Sequence, residues 1–237
     1  MHVYLGQADS VRRTLLDELH AARMTPVDIG PRFFDGDLRQ LTREGHENHA
    51  FLLSDGPGLI RQIRKLRRAG CAHPIMVLRS APDAENAAEA LDAGADGDLV
   101  MPVRGLELKA RINAILRRAH GHSADSITVG EVRAFFDGRD PEVCGQRVKL
   151  SKREHTIFQQ LVLNARKVIS KAAIYDAVYG MSEEQPFDKV IDVYICKIRK
   201  KIAQAAPSGH PYIETVHGRG YKLDEAESLS PIRAAAG

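Results

Sequence analysis

Short apolar runs alternate with helical patterns through the first half of the chain. Residues 3–5, 27–29, 50–53, 75–78 and 99–101 are apolar stretches of strand length, the pattern of parallel strands buried on both faces. Between them, residues 11–22, 59–69, 83–93 and 106–119 read as helices. Residues 32–48 are polar and weakly patterned, and a helix is the reading there. Strand alternating with helix predicts a doubly wound α/β sheet.

That pattern stops near Ala119, and the stretch His120-Gly121-His122-Ser123-Ala124-Asp125-Ser126 has the composition of a linker. Beyond it, residues 127–129, 132–136, 142–144 and 148–150 predict short antiparallel strands separated by turns such as Asp137-Gly138-Arg139-Asp140-Pro141. Three helices follow. Ser151-Lys152-Arg153-Glu154 is a capping box opening the first, with Ile157, Phe158, Leu161 and Val162 on its apolar face. Ser170 caps the second, which Gly180 ends, and the third spans residues 187–205. A hairpin of residues 212–216 and 221–223 turns through His217-Gly218-Arg219-Gly220, and the Ala-, Ser- and Glu-rich end of the chain predicts a disordered tail. The expected division is therefore 1–118, a linker at 119–126, a second domain at 127–225 and a tail at 226–237.

The third helix carries the most informative pattern. At 100° per residue, Ile191, Ile195, Ile198 and Ile202 fall in one narrow stripe. The reverse face holds Lys189, Val193, Cys196, Lys197 and Lys200, flanked by Arg199 and Lys201. An apolar stripe backed by a cationic face suits the major groove, where ammonium groups meet phosphates and base edges and Val193 can touch a thymine methyl. A solvated lysine-rich surface is the bland alternative. The short helix and turn before it and the basic hairpin after it favour the DNA reading.

Composition adds mostly exclusions. With 237 residues, 43% hydrophobic and 27% charged, the chain is long enough for two modest cores and too apolar for disorder. The net charge of +3 says little by itself. No apolar run reaches the length of a membrane span, and the N-terminus enters a strand without a signal-like region, so a cytoplasmic location is expected. Cys71, Cys144 and Cys196 lie far apart without metal-ligand spacing, which predicts free thiols, and no metal or other cofactor is expected. The ten histidines read as surface residues.

Three separated blocks then carry a family resemblance: residues 145–154, 190–201 and 213–221. Residues 127–224 resemble the winged helix-turn-helix effector domain, a small α+β fold, of OmpR/PhoB-type response regulators, and within them the CtrA group. The resemblance implies duplex DNA as partner. It implies helix contacts at Lys189, Val193, Tyr194, Lys197, Arg199 and Lys200, and wing contacts at Thr215, His217, Arg219 and Tyr221. Asp192 is structural in such proteins, and residues 181–186 resemble a segment that some members turn toward RNA polymerase, with a plain exposed loop as the other reading.

Residues 1–118 resemble a flavodoxin/CheY-like receiver domain whose phosphorylation chemistry is missing. The acidic pair that would hold Mg²⁺ aligns with Gln7 and Ala8, leaving Asp9 nearby. The phosphoacceptor aligns with Ser54, the switch hydroxyl with Arg79 and the lysine with Met101, while a one-residue slip would make Asp55 the acceptor. The family also pairs receivers through the helix–strand–helix face at their C-terminal end, implying a homodimer interface with Asp96, Glu107, Arg111 and Arg118. The expected function is sequence-specific transcription regulation without aspartyl phosphorylation, with no enzyme activity and no small-molecule substrate. A conventional regulator phosphorylated at Asp55 and a protein-binding adaptor of the transcription machinery are the alternatives. The turn at residues 137–141 and the degenerate receiver resemble flagellar relatives of the CtrA group, which points the regulon to motility or the cell cycle.

Overall fold

The computed structural model describes residues 1–6, 12–38, 49–179 and 189–224. Its first unit is a five-stranded parallel sheet. The strands β1 (His2–Leu5), β2 (Thr25–Asp28), β3 (His49–Ser54), β4 (Ile75–Arg79) and β5 (Gly97–Val100) lie in the order β2-β1-β3-β4-β5. Helices α1 (Arg12–Ala21), α2 (Leu59–Arg68), α3 (Ala84–Asp92) and α4 (Gly105–Ala119) cover its two faces.

Side chains alternate along each strand and so divide between two cores. Phe51, Leu53, Ile75 and Val77 pack under Leu59, Ile63 and Leu66 of α2 and Ala90 of α3. Ala50, Leu52, Met76 and Leu78 pack against Leu15 and Leu19 of α1 and Leu108, Ile112 and Leu116 of α4. This is the doubly wound α/β arrangement expected from the alternation. The two helices of the second layer approach so closely at Gly105 that a Cβ there would lie 2.0 Å from the Glu18 carbonyl oxygen. The Gly105 N–H instead donates to the Glu18 carboxylate at 2.7 Å.

The helix expected at residues 32–48 is replaced in its described part by a 3-10 turn, Pro31–Asp35, and residues 39–48 lie outside the described residues. The surface reading of the histidines needs a correction. His49 and His73 are buried, and the His49 ring meets Tyr4 edge-on with centroids 5.4 Å apart. An imidazole tucked among aromatic rings is shielded as an aromatic and not displayed as a polar group.

The second unit begins with a four-stranded antiparallel sheet, β6 (Ser126–Val129), β7 (Val132–Phe135), β8 (Glu142–Val143) and β9 (Gln146–Arg147), in that order. Then come α5 (Lys152–Leu163), α6 (Lys171–Tyr179), α7 (Lys189–Ala205) and the hairpin β10 (Ile213–Val216) and β11 (Gly220–Leu223). The Ser151 side chain accepts from the Glu154 N–H while the Glu154 carboxylate accepts from the Ser151 N–H, completing the capping box. Ser170 Oγ accepts from the Ala173 N–H at 3.1 Å at the start of α6. The four isoleucines of α7 are buried in one core with α5, α6 and the hairpin. Among the described residues no helix is long and apolar enough to cross a membrane.

Candidate functional site

The burial of Ile191, Ile195, Ile198 and Ile202 fixes which side of α7 faces solvent. Val193, Cys196, Lys197 and Lys200 all lie on that exposed side, at the spacing that stacks one above another on a helix. Val193 is 51% exposed, an apolar side chain set among the cations of this face. Lys197 Nζ sits 5.7 Å from the Tyr194 ring centroid, and the Tyr194 hydroxyl accepts from Arg153 at 3.1 Å. Arg153, on α5, brings a further exposed cation that sequence reasoning passed over. Its partner lies 41 residues away, so nothing in the local pattern announces the contact. The side chain of Lys189, and the whole segment 181–186, lie outside the described residues.

The hairpin is locked to α7 from within. Gly220 lies against the chain before α6, where a Cβ would fall 1.8 Å from the Ile169 carbonyl oxygen, and Ile169 and Tyr221 bond to each other through their backbones. Tyr221 is 3% exposed and its hydroxyl donates to Asp192, which also accepts from Lys171 at 2.9 Å. The Lys171 ammonium and then the Tyr221 hydroxyl hold the Asp192 carboxyl below its ordinary range. Burial, followed by the Asp192 contact, pushes the Tyr221 phenol above its usual range.

Two expectations change in consequence. Tyr221, expected as a wing contact, is enclosed and spends its hydroxyl on Asp192. Arg199 is turned inward: it donates to the Ile213 carbonyl oxygen and to Thr215 Oγ1, each at 2.7 Å. Thr215 keeps an exposed position, although its hydroxyl already accepts from Arg199. His217 and Arg219 remain exposed at the hairpin tip. Lys201, on the flank of α7, ties back to Glu154 at 2.6 Å and to the Lys149 carbonyl oxygen at 3.0 Å. Among the described residues no carboxylate pairs with Lys197, Lys200 or Arg219. These three cations are left to face solvent with Val193, and they can meet phosphates or base edges.

The carboxyl edge of the first sheet is organised around a buried arginine. Arg79 ends β4 and is 1% exposed. Its Nε donates to Asp98 on β5 at 2.6 Å, another guanidinium nitrogen donates to the Asn86 carbonyl oxygen of α3 at 2.8 Å, and a third lies 2.8 Å from the Asp55 carboxylate. Burial works against its charge, but the hydrogen bonds and charges of Asp98 and then Asp55 outweigh burial and hold it more firmly protonated than an ordinary arginine. Ser54 points elsewhere, its hydroxyl donating to the Gly6 carbonyl oxygen at 3.3 Å. The side chain opposite Arg79 is thus Asp55, one residue beyond Ser54, the position that the family resemblance implies. Met101 follows β5 and packs partly buried against the α1–α4 core. Gln7, Ala8 and Asp9 lie outside the described residues.

The last two helices of this unit and β5 form the remaining face of interest. Leu91 on α3, Val100 on β5 and Leu106 on α4 are exposed, Leu106 to 77%. The four charged residues expected there have partners within the chain. Asp96 accepts from Arg67 at 2.6 Å and from the Ile75 N–H at 2.7 Å, Glu107 pairs with Arg111 at 2.7 Å, and Arg118 donates to the Ala114 carbonyl oxygen.

The family described as transcriptional regulatory protein, C terminal, matches residues 145–223. The chain is 39% identical over 166 residues to the cell cycle response regulator CtrA of Brucella ovis, a match covering 70% of this chain and 71% of that protein. CtrA of Brucella anthropi matches over the same shares with the same identity. Among solved structures, the response regulator DrrB of Thermotoga maritima, an OmpR/PhoB homologue, is 21% identical over 94% of this chain and 98% of its own, with a TM-score of 0.38. The DNA-binding domain of RstA from Klebsiella pneumoniae, solved with the RstA box, is 23% identical over 43% of this chain and 98% of its own, with a TM-score of 0.35. The chain belongs to the OmpR/PhoB-type response regulators, and it is a bacterial DNA-binding transcription regulator.

Proposed function

We propose that this regulator reads its DNA sites as a dimer and without waiting for aspartyl phosphorylation. The observation that carries this reading is Arg79, a buried guanidinium ion-paired to Asp55 at 2.8 Å and to Asp98 at 2.6 Å. A receiver that takes up phosphate needs its acceptor carboxylate free beside Mg²⁺, which binds through several oxygen ligands. Here a fixed cation already neutralises Asp55. Gln7 and Ala8 stand where the family places its acidic pair and Met101 where it places its lysine, so the residues present fit magnesium poorly.

On the DNA side, Val193, Lys197 and Lys200 are the major-groove contacts, and Thr215, His217 and Arg219 are the wing contacts. Tyr194 and Arg199 position them from behind. The domain boundaries of the sequence reading, 1–118, 119–126 and 127–225, go with this division of labour. Asp55 keeps one argument for conventional phosphorylation, since 45% of its side chain is exposed at the sheet edge.

One experiment separates the two. The untreated protein is titrated against pooled genomic promoter fragments at physiological salt, and the retained DNA is sequenced. Enrichment of one repeated motif without a phosphodonor supports the proposal and names the targets. Enrichment that appears only with acetyl phosphate and Mg²⁺, and disappears in Asp55→Asn, overturns it.

A further inference from the structure

A cavity of about 510 Å³ opens between the two units, where α4 meets the β7–β8 turn and the start of α5. Its size lies within the range of small-molecule sites, ~300–1,000 Å³. Arg23, Lys109 and Asn113 line it from the first unit, and Lys149, Lys152 and His155 from the second. Arg139 and Arg147 complete the cationic lining, and Asp140 is the one carboxylate among the described lining residues.

The charge in this cavity is out of balance. Asp140 is engaged by Arg147 at 2.7 Å and by the Leu150 N–H at 3.1 Å. Arg139 pairs with Asp137 at 2.7 Å. Among the described residues no carboxylate pairs with Arg23, Lys109, Lys149 or Lys152. Such convergence of like charges is unfavourable unless an anion or solvent screens it. Its effect is visible on Lys109, which burial and then the charge of Arg23 push below the ordinary lysine range. His155 is lowered too, first by burial, with Lys109 adding to it. Asn113 adds a polar side chain to the lining. It is 8% exposed and lines the cavity, where its amide can donate to a phosphate oxygen.

Duplex DNA cannot enter so small a recess, whereas clustered phosphates on a small molecule match both its charge and its size. We propose that the cavity binds a small phosphorylated molecule, a nucleoside triphosphate or an inorganic oligophosphate, held by Arg23, Lys109, Lys149 and Lys152. Because the lining comes from both units, the ligand favours the arrangement in which they face one another across it. Lys149 lies just before, and Lys152 within, the capping box whose Glu154 holds Lys201 of α7, and the Lys149 carbonyl also accepts from Lys201, so occupancy bears on the DNA-reading helix. The inference is independent of how that helix reads its site.

Isothermal titration of the full chain at physiological salt, with inorganic tripolyphosphate and with GTP as probes, tests the idea. One saturable site per chain is expected, weakened at least tenfold in Lys109→Ala/Lys152→Ala and unchanged in Lys197→Ala on the DNA face. Lys149→Ala, at an exposed position, gives the same reading if the double variant fails to fold. Tighter binding of GTP identifies a nucleotide, and equal binding identifies the phosphate chain alone. Either supports the proposal. No saturable binding, several weak sites per chain, or a loss that Lys197→Ala reproduces would overturn it.

Discussion

At the scale of single residues, Arg79 separates two carboxylates that look alike in the sequence. Asp98 is nearly enclosed, with 11% of its side chain exposed, whereas Asp55 is 45% exposed and can recover water when the pair is broken. Removing one partner of a buried ion pair typically costs about 3–5 kcal/mol, and an exposed pair contributes ~0–1 kcal/mol. Arg79→Ala is therefore expected to lose about 3 kcal/mol in urea unfolding. Asp55→Asn should lose less than about 1 kcal/mol. Equal losses in the two variants would mean that Asp55 is as much a part of the fold as Arg79. A similar contrast applies on α7. Lys197→Ala should lower discrimination between specific and random DNA by ~1–3 kcal/mol and leave the melting temperature unchanged. Arg199→Ala should lower the melting temperature first, because its guanidinium holds the hairpin through Ile213 and Thr215. Binding assays on specific and random duplexes, beside thermal melts, distinguish these outcomes.

At the scale of elements, the hairpin stands or falls with its polar clasp to α7. Tyr221→Phe removes the hydroxyl that donates to Asp192, and a hydrogen bond to a charged group contributes ~1.5–3 kcal/mol. Asp192 has a depressed folded-state pKa, so its stabilisation is present above the unfolded carboxyl range of ~3.9 and is lost as pH falls through the lower folded value. The stability gap between wild type and Tyr221→Phe should accordingly be full near neutrality and shrink below about pH 4. A gap independent of pH would show that packing, and not the charge on Asp192, is what the hydroxyl supports. The clasp also marks where sequence patterns stop being informative. Periodicity located the isoleucine stripe of α7 and the capping box, because burial repeats with the helical turn. It misplaced the last strand of the small sheet at residues 148–150. There Val148 and Leu150 are buried and Lys149 exposed, an alternation that mimics a strand. The Leu150 N–H is satisfied by the Asp140 side chain instead, and the pairing strand is Gln146–Arg147. Tyr221, Arg153 and the Arg79 cluster were opaque for the same reason, since their partners come from distant parts of the chain.

At the scale of the whole molecule, the exposed leucine of α4 bears on how two copies meet. Leu106 is 77% exposed, with Val100 and Leu91 exposed on the neighbouring elements, and burying one such side chain is worth ~1.5–3 kcal/mol. A two-fold interface buries it twice, so Leu106→Glu should weaken dimerisation by two to four orders of magnitude, at about 1.4 kcal/mol per tenfold. The charged pair gives a sharper test of symmetry. Glu107 and Arg111 bond to each other within one helix, and across a two-fold axis the same two groups can exchange partners. Glu107→Arg alone then sets like charges together in both copies and weakens the dimer, while Glu107→Arg with Arg111→Glu restores it. Sedimentation equilibrium reads the association, and footprinting reads whether two half-sites about 10–11 bp apart stay jointly protected. If the single and double variants associate as the native chain does, the pair serves its own helix and the interface lies elsewhere. If only the double variant recovers both association and joint protection, this face joins the two copies and sets the spacing of the DNA-reading units.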